Sequence, residues 1–112
     1  MHDIQLPHHR LRAYGVALQL LEAIKAARIR DAYLRDHAIR SAKSAALNAA
    51  EGAGRVTRAD KAQAFKVARS EAGQAAASTE IAVRAGDAEA AALEPVLDYA
   101  NQFIAMMTAL MR

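Results

Sequence analysis

Apolar side chains recur along this chain at spacings of three and four, the period of a helix that buries one face. Over residues 9–28, Tyr14, Ala17, Leu18, Leu21 and Ile24 keep that spacing, and Leu11 and Leu20 widen the face. Pro7 fits just before this helix or in its opening turn. Gly15 inside it costs about 1 kcal/mol relative to Ala, a cost usually met where helices cross closely. After a link at "RIRD", a second helix is predicted over 31–51, with Leu34, Ala38, Ser41, Ala45, Asn48 and Gly52 forming a seam of small residues for a helix pair.

In "GAGRVTRAD" a turn is strongly signalled. Gly52 and Gly54 can end the second helix with positive φ, Arg55 follows, and Thr57 with Asp60 forms a Thr-x-x-Asp capping box for the next helix. A third helix over 58–85 presents Phe65, Ala68, Ala72, Ala75, Thr79 and Val83. Gly86 stops it and Asp87 can cap a fourth. That fourth helix shows an apolar face of Leu93, Leu97, Ala100, Ile104, Met107 and Met111, flanked by Val96, Phe103, Met106 and Leu110. Pro95 predicts a kink or a fresh helix start close to it. Four helices with short links predict an all-α fold, an antiparallel up-down-up-down four-helix bundle with one domain over 1–112 and a flexible N-terminus over 1–8.

Composition thins the expected core. Hydrophobic residues make up 54% of the 112, but 30 of them are Ala, and each buries far less apolar surface than a Leu or Phe. A core of that kind is often supplemented by oligomerisation. The chain has no Cys, which excludes disulfides, thiolate nucleophiles and cysteine-held zinc. "MHDIQLPHHRLR" lacks the apolar run of a signal peptide, and Leu93–Met111 is interrupted by Glu94, Asp98, Asn101 and Gln102. A cytoplasmic protein without a membrane partner is the expectation. The fourth helix bears acidic rather than basic residues on its polar side, contrary to a membrane-surface helix.

Net charge is +3 and unevenly spread. Residues 1–69 hold 13 Lys/Arg against 6 Asp/Glu, a net +7, and residues 70–112 hold 2 against 6, a net −4. The split is consistent with solvated helix faces, with complementary faces that join copies of the chain, or with a basic surface for RNA or DNA. The candidate nucleic-acid contacts are Arg28, Arg30, Arg35, Lys43, Arg55, Arg58, Lys61, Lys66 and Arg69. No aromatic residues interleave with them, so base-stacking recognition of single strands is not expected.

The stretch "NAAEGAGR" does not make a phosphate loop, because Gly52 and Gly54 are one residue apart, follow a helix and lack the Lys-Ser/Thr ending. His8 and His9 are adjacent, His2 and His37 are isolated, and none belongs to a metal-ligand pair, so no metal and no cofactor is expected. The serines occupy helical positions without a nucleophile turn. One polar constellation stands out on the second helix. His37, Arg40, Ser44, Asn48 and Glu51 fall within an arc of roughly 80° beside the apolar seam. They read as a structural or subunit-interface network in which Arg40, Ser44, Asn48 and Glu51 satisfy one another. The alternative is a binding stripe, or an acid/base set of His37 with Glu51 or Arg40.

At these residues the chain resembles a known family. "DAYLRDHAIRSAKSAALNAAEGAGR" is similar to the signature of the four-helix-bundle family named after the protein encoded in 23S rRNA intervening sequences. The family pattern is met at Arg40, Ser44, Asn48, Ala50, Glu51, Gly52, Gly54 and Arg55, and the resemblance extends weakly over the other helices. The chain departs from it at His37, where the family tends to have Gln, at Ser70 and Glu71, where it has Gly-Ser, and at Gln74, where it has Glu. The resemblance implies an antiparallel bundle assembling into a homopentameric ring without established enzymatic activity. Relatives include the accessory variability protein of diversity-generating retroelements, which binds nucleic acid and a reverse transcriptase. The expected function is thus a non-enzymatic homo-oligomeric scaffold or binding protein with no evident small-molecule substrate. The alternative is a nucleic-acid-binding accessory.

Overall fold

Where the chain turns decides how its helices meet. A computed structural model describes residues 4–112, so His2 and the first three positions of the expected flexible N-terminus lie outside the described residues. Pro7–Arg10 forms a 3-10 turn, with Pro at its first position, that packs against the second helix. Then follow α1 (Arg12–Ala26), α2 (Ala32–Gly54), α3 (Arg58–Arg84), a 3-10 turn at Ala90–Ala92, and α4 (Leu93–Leu110). Among the described residues there is no strand. Each helix packs on two others in the cyclic order α1, α2, α3, α4, and α2 with α3 share the longest seam. This is the arrangement of an antiparallel four-helix bundle.

Local chemistry sets the boundaries. The Asp31 carboxylate accepts the Leu34 amide at 2.9 Å and caps α2; the Thr57 hydroxyl accepts the Asp60 amide at 3.1 Å and caps α3. Gly86 has φ 83°, and its amide and that of Asp87 return to the Val83 and Ala82 carbonyls, closing α3 as the sequence indicates. The expected cap at Asp87 is not made. Asp87 instead accepts the Arg30 amide at 2.7 Å, tying the α1–α2 link to the α3–α4 link. α4 starts afresh at Leu93, which puts Pro95 in the first turn, where its missing N–H is no loss.

The end of α2 also departs from expectation. Gly52 and Gly54 do not end α2 with positive φ: both are helical, and the helix runs three residues beyond its expected end. The Lys61 ammonium reaches back to the Gly52 and Ala53 carbonyls at 3.3 and 3.0 Å and satisfies the helix end from outside. Besides Gly86, Arg28 adopts the left-handed region, at φ 50°, just past the end of α1.

The buried faces of α1 and α4 overlap the expected ones but are turned toward one side of them. Ala13, Val16, Ala17, Leu20 and Ile24 line the core from α1, leaving Leu18 exposed; Val96, Ala100, Phe103 and Met107 line it from α4, leaving Leu97 exposed. Between α2 and α3 the core is mostly alanine, with Ala38, Ala42, Ala45 and Ala49 facing Ala68, Ala72 and Ala75, so the two backbones approach closely and gain dispersion contacts. Among the described residues no helix is long and apolar enough to cross a membrane.

Candidate functional site

The α2–α3 seam places a polar groove on the outside of the bundle. His37 Nδ1 and Ser78 Oγ lie 2.9 Å apart, and Ser44 Oγ donates to Glu71 Oε2 at 3.2 Å. Seven residues forward on α2 answers to seven back on α3, so the two hydrogen bonds fix one antiparallel register. Asn48 Nδ2 donates to the Ser44 carbonyl at 2.9 Å and to its hydroxyl at 3.1 Å. His37, Arg40, Ser41, Ser44, Glu71 and Gln74 enclose a groove of about 240 Å³.

Of the five residues of the α2 stripe, the structure thus brings together Ser44 and Asn48, and joins His37 and Ser44 to α3. Arg40 and Glu51 do not meet. They are eleven residues apart on one helix, about 16 Å along its axis. Glu51 pairs with Arg55 at 2.7 Å, in the i,i+4 arrangement, and both side chains remain substantially exposed. Arg40 has no ion-pair or hydrogen-bonding partner among the described residues and lies on the groove wall. Glu71, Gln74 and Ser78 were missed by reading α2 alone. Their signal was the shared seven-residue step between the helices.

The same register organises the apolar residues beside the groove. Tyr33, Arg40 and Leu47 repeat every seventh residue on α2, and Ile81, Gln74 and Val67 do so on α3 in the opposite direction. Tyr33 thus lies across from Ile81, Arg40 from Gln74, and Leu47 from Val67. The two apolar layers are about 21 Å apart, with the polar layer midway. They face solvent: Tyr33 is 75% exposed, Leu47 67% and Ile81 54%.

The nine basic residues do not form one surface. At the end where α1 leads into α2, Arg28, Arg30 and Arg35 line a broad concavity with Lys25. Arg30 is held there by the Gly86 carbonyl at 2.7 Å and by Glu89 at 3.4 Å, and Arg35 lies 3.7 Å from Asp36. Arg55, Arg58 and Lys61 lie at the opposite end, where Arg58 donates to the Arg112 carbonyl. Between the ends, Lys43 and Lys66 are exposed, and Arg69 donates to Thr108 Oγ1 at 2.9 Å. Arg10 and Arg12, absent from the sequence-derived set, join the second end because α1 begins there.

The His8 ring lies against His9 at a 40° tilt and meets Tyr14 edge-on, with ring centroids 4.2 and 4.8 Å apart. His9 Nδ1 accepts the Leu6 amide at 3.0 Å. Among the described residues no group of three His, Cys, Asp or Glu side chains is placed to hold a metal ion. No protein-family model and no curated protein matches the chain.

Proposed function

We propose that the chain is a non-enzymatic scaffold that assembles with copies of itself through the outer face of α2 and α3. The observation that carries this reading is the layering of that face, with apolar pads at Tyr33/Ile81 and Leu47/Val67 and a polar layer of Arg40 and Gln74 between them. Fully burying an aliphatic or aromatic side chain is worth about 1.5–3 kcal/mol, so such pads can serve as interface hot spots. Arg40 and Gln74 would fix the register of the partner. Ser44 in the groove is already engaged, donating to Glu71 and accepting from Asn48, which favours a structural over a catalytic use.

The resemblance to the family of the 23S rRNA intervening sequence protein supports the same reading and adds a ring of five. A ring requires a second, different patch on each subunit. The outer face of α4 offers one, with exposed Glu94, Leu97 and Asp98 opposite in charge to Arg40 and Lys43. The test is native mass by light scattering on a sizing column. The expected mass is near five times the 12.0 kDa chain, and Leu47→Glu should lower it while leaving helix content unchanged. A wild-type monomer at all concentrations, or an unaltered mass in both Leu47→Glu and Ile81→Glu, would refute the proposal.

A further inference from the structure

The end of the bundle that carries the α2–α3 link combines cations with apolar surface that the proposed assembly leaves in water. Two shallow grooves meet there at Leu11 and Leu110. One, of about 290 Å³, has Arg10 and Lys61 on its rim; the other, of about 230 Å³, is floored by Ala13 and Met106 with Arg12 at its edge. Val56, in the link itself, is 91% exposed and lies between Arg55 and Arg58 in the chain. Arg10 and Arg12 have no carboxylate partner among the described residues. α1 and α3 begin at this end while α2 and α4 finish there, so the helix dipoles largely cancel; Lys61 covers two of the α2 carbonyls, and the arginines set the charge.

From this combination we infer that the α2–α3 link end docks on an anionic phospholipid surface. Lipid phosphates meet Arg10 and Arg12, whose planar guanidinium groups suit them, while Val56 and Leu110 enter the boundary between headgroups and acyl chains. The device is the end of a bundle rather than a helix lying flat, so the acidic outer face of α4 does not oppose it. A nucleic-acid backbone would also attract the arginines, but it has no use for apolar-floored grooves or for a valine standing in water. A second copy meeting this end would bring like charges together. The inference goes beyond the proposed assembly and does not depend on it, although a ring would present several such ends on one side and multiply their hold.

The test is flotation of the protein with phosphatidylcholine vesicles, with and without about 30 mol% phosphatidylserine, at low and high salt. Binding is expected only to the anionic vesicles and should weaken as salt rises. Arg10→Gln/Arg12→Gln and Val56→Asp should each reduce it about tenfold or more, judged from the charge and apolar surface removed. Val56→Ile should strengthen it. Lys25→Gln/Arg28→Gln removes the same charge at the opposite end and should change it less than about twofold. The altered side chains are exposed, and a thermal melt of each variant checks that the fold is kept. Absence of binding to anionic vesicles, an equal loss in the opposite-end variant, or indifference to Val56→Asp would overturn the inference. So would binding of a labelled DNA duplex in place of vesicles, which would assign this end to nucleic acid. Light scattering on the same samples reads assembly separately, so a monomeric wild type would refute the scaffold while the vesicle result kept its meaning.

Discussion

Adding one methyl group at Gly52 should destabilise the protein, whereas the same change at Gly15 should stabilise it. Gly52 is buried on α2 against Phe65 of α3, and a Cβ there would stand 2.5 Å from Cε1, 2.6 Å from Cδ1 and 3.0 Å from Cζ of the ring. Carbon atoms in ordinary contact are about 3.5–4.0 Å apart, so the ring would have to retreat by about 1 Å. Phe65 is itself buried, and its retreat either strains a rotamer or spreads the two helices, an overpacking cost of about 1–3 kcal/mol. Against this, Ala gains up to about 1 kcal/mol over Gly in a helix interior, and less in a last turn. The net expectation is a loss of about 1–2 kcal/mol, or roughly 4–10 °C in melting temperature. Gly15 has nothing within 4 Å of its would-be Cβ, so Gly15→Ala should keep the propensity gain and melt higher. Thermal melts by circular dichroism at one fixed chain concentration measure both, since assembly would make the midpoint concentration-dependent. A double variant with Phe65→Leu should lose less than the two single losses added together, because the smaller side chain makes room. Equal stability of Gly52→Ala and Gly15→Ala would refute the claim that glycine is required there for close packing.

Two further outcomes follow from single hydrogen bonds and one dihedral angle. Asn48→Ala removes donors to the Ser44 carbonyl and hydroxyl and should cost about 0.5–1.5 kcal/mol in urea denaturation; an unchanged midpoint would show that the Asn48–Ser44 pair contributes nothing to stability. Arg28 has φ 50°, where glycine is unstrained, so Arg28→Gly should raise stability by about 0.5–1 kcal/mol. A lower melting temperature in that variant would mean that the Arg28 side chain stabilises the link by more than its backbone conformation costs.

Helix number, order and most boundaries were legible in the sequence because caps and stops are local. Asp31, Thr57 and Gly86 act within four residues of their own positions, and each does what its type favours. What was not legible depended on neighbours remote in the chain. On α4 the expected face ran Leu93–Leu97–Ala100–Ile104–Met107–Met111; Ala100 and Met107 of it are buried, and the core is completed by Val96 and Phe103, which read as its flank. Gly52 reads as a helix stop until Phe65 is seen against it. Arg40 and Glu51 read as a pair by chemical type, although the rise of the helix separates them and the acid finds Arg55 one turn away. The site was half visible, since α2 showed its stripe and α3's contribution needed the register.

Folding also changes what the charge distribution means. Along the chain the positive residues belong to the first half, which suggests a basic half meeting an acidic one. In the bundle, α1 and α2 run in opposite directions, so their cations are sorted by end. Arg28, Arg30 and Arg35 go to the end shared with Asp87 and Glu89, where acids hold part of them. Arg10, Arg12, Arg55, Arg58 and Lys61 go to the other, where Glu51 and Asp60 are the acids. The charges open to assembly are therefore those of local faces, Arg40 and Lys43 on α2 and Glu94 and Asp98 on α4, rather than of whole chain halves. The flank of α2 and α3 offers apolar pads in register, and the link end offers free arginines beside apolar grooves. Contact along the flank would leave that end uncovered, so self-association and docking of a charged surface would use different parts of the molecule. Leu47→Glu should consequently change native mass without abolishing the intrinsic attraction of the link end for anionic vesicles, and Arg10→Gln/Arg12→Gln should do the reverse.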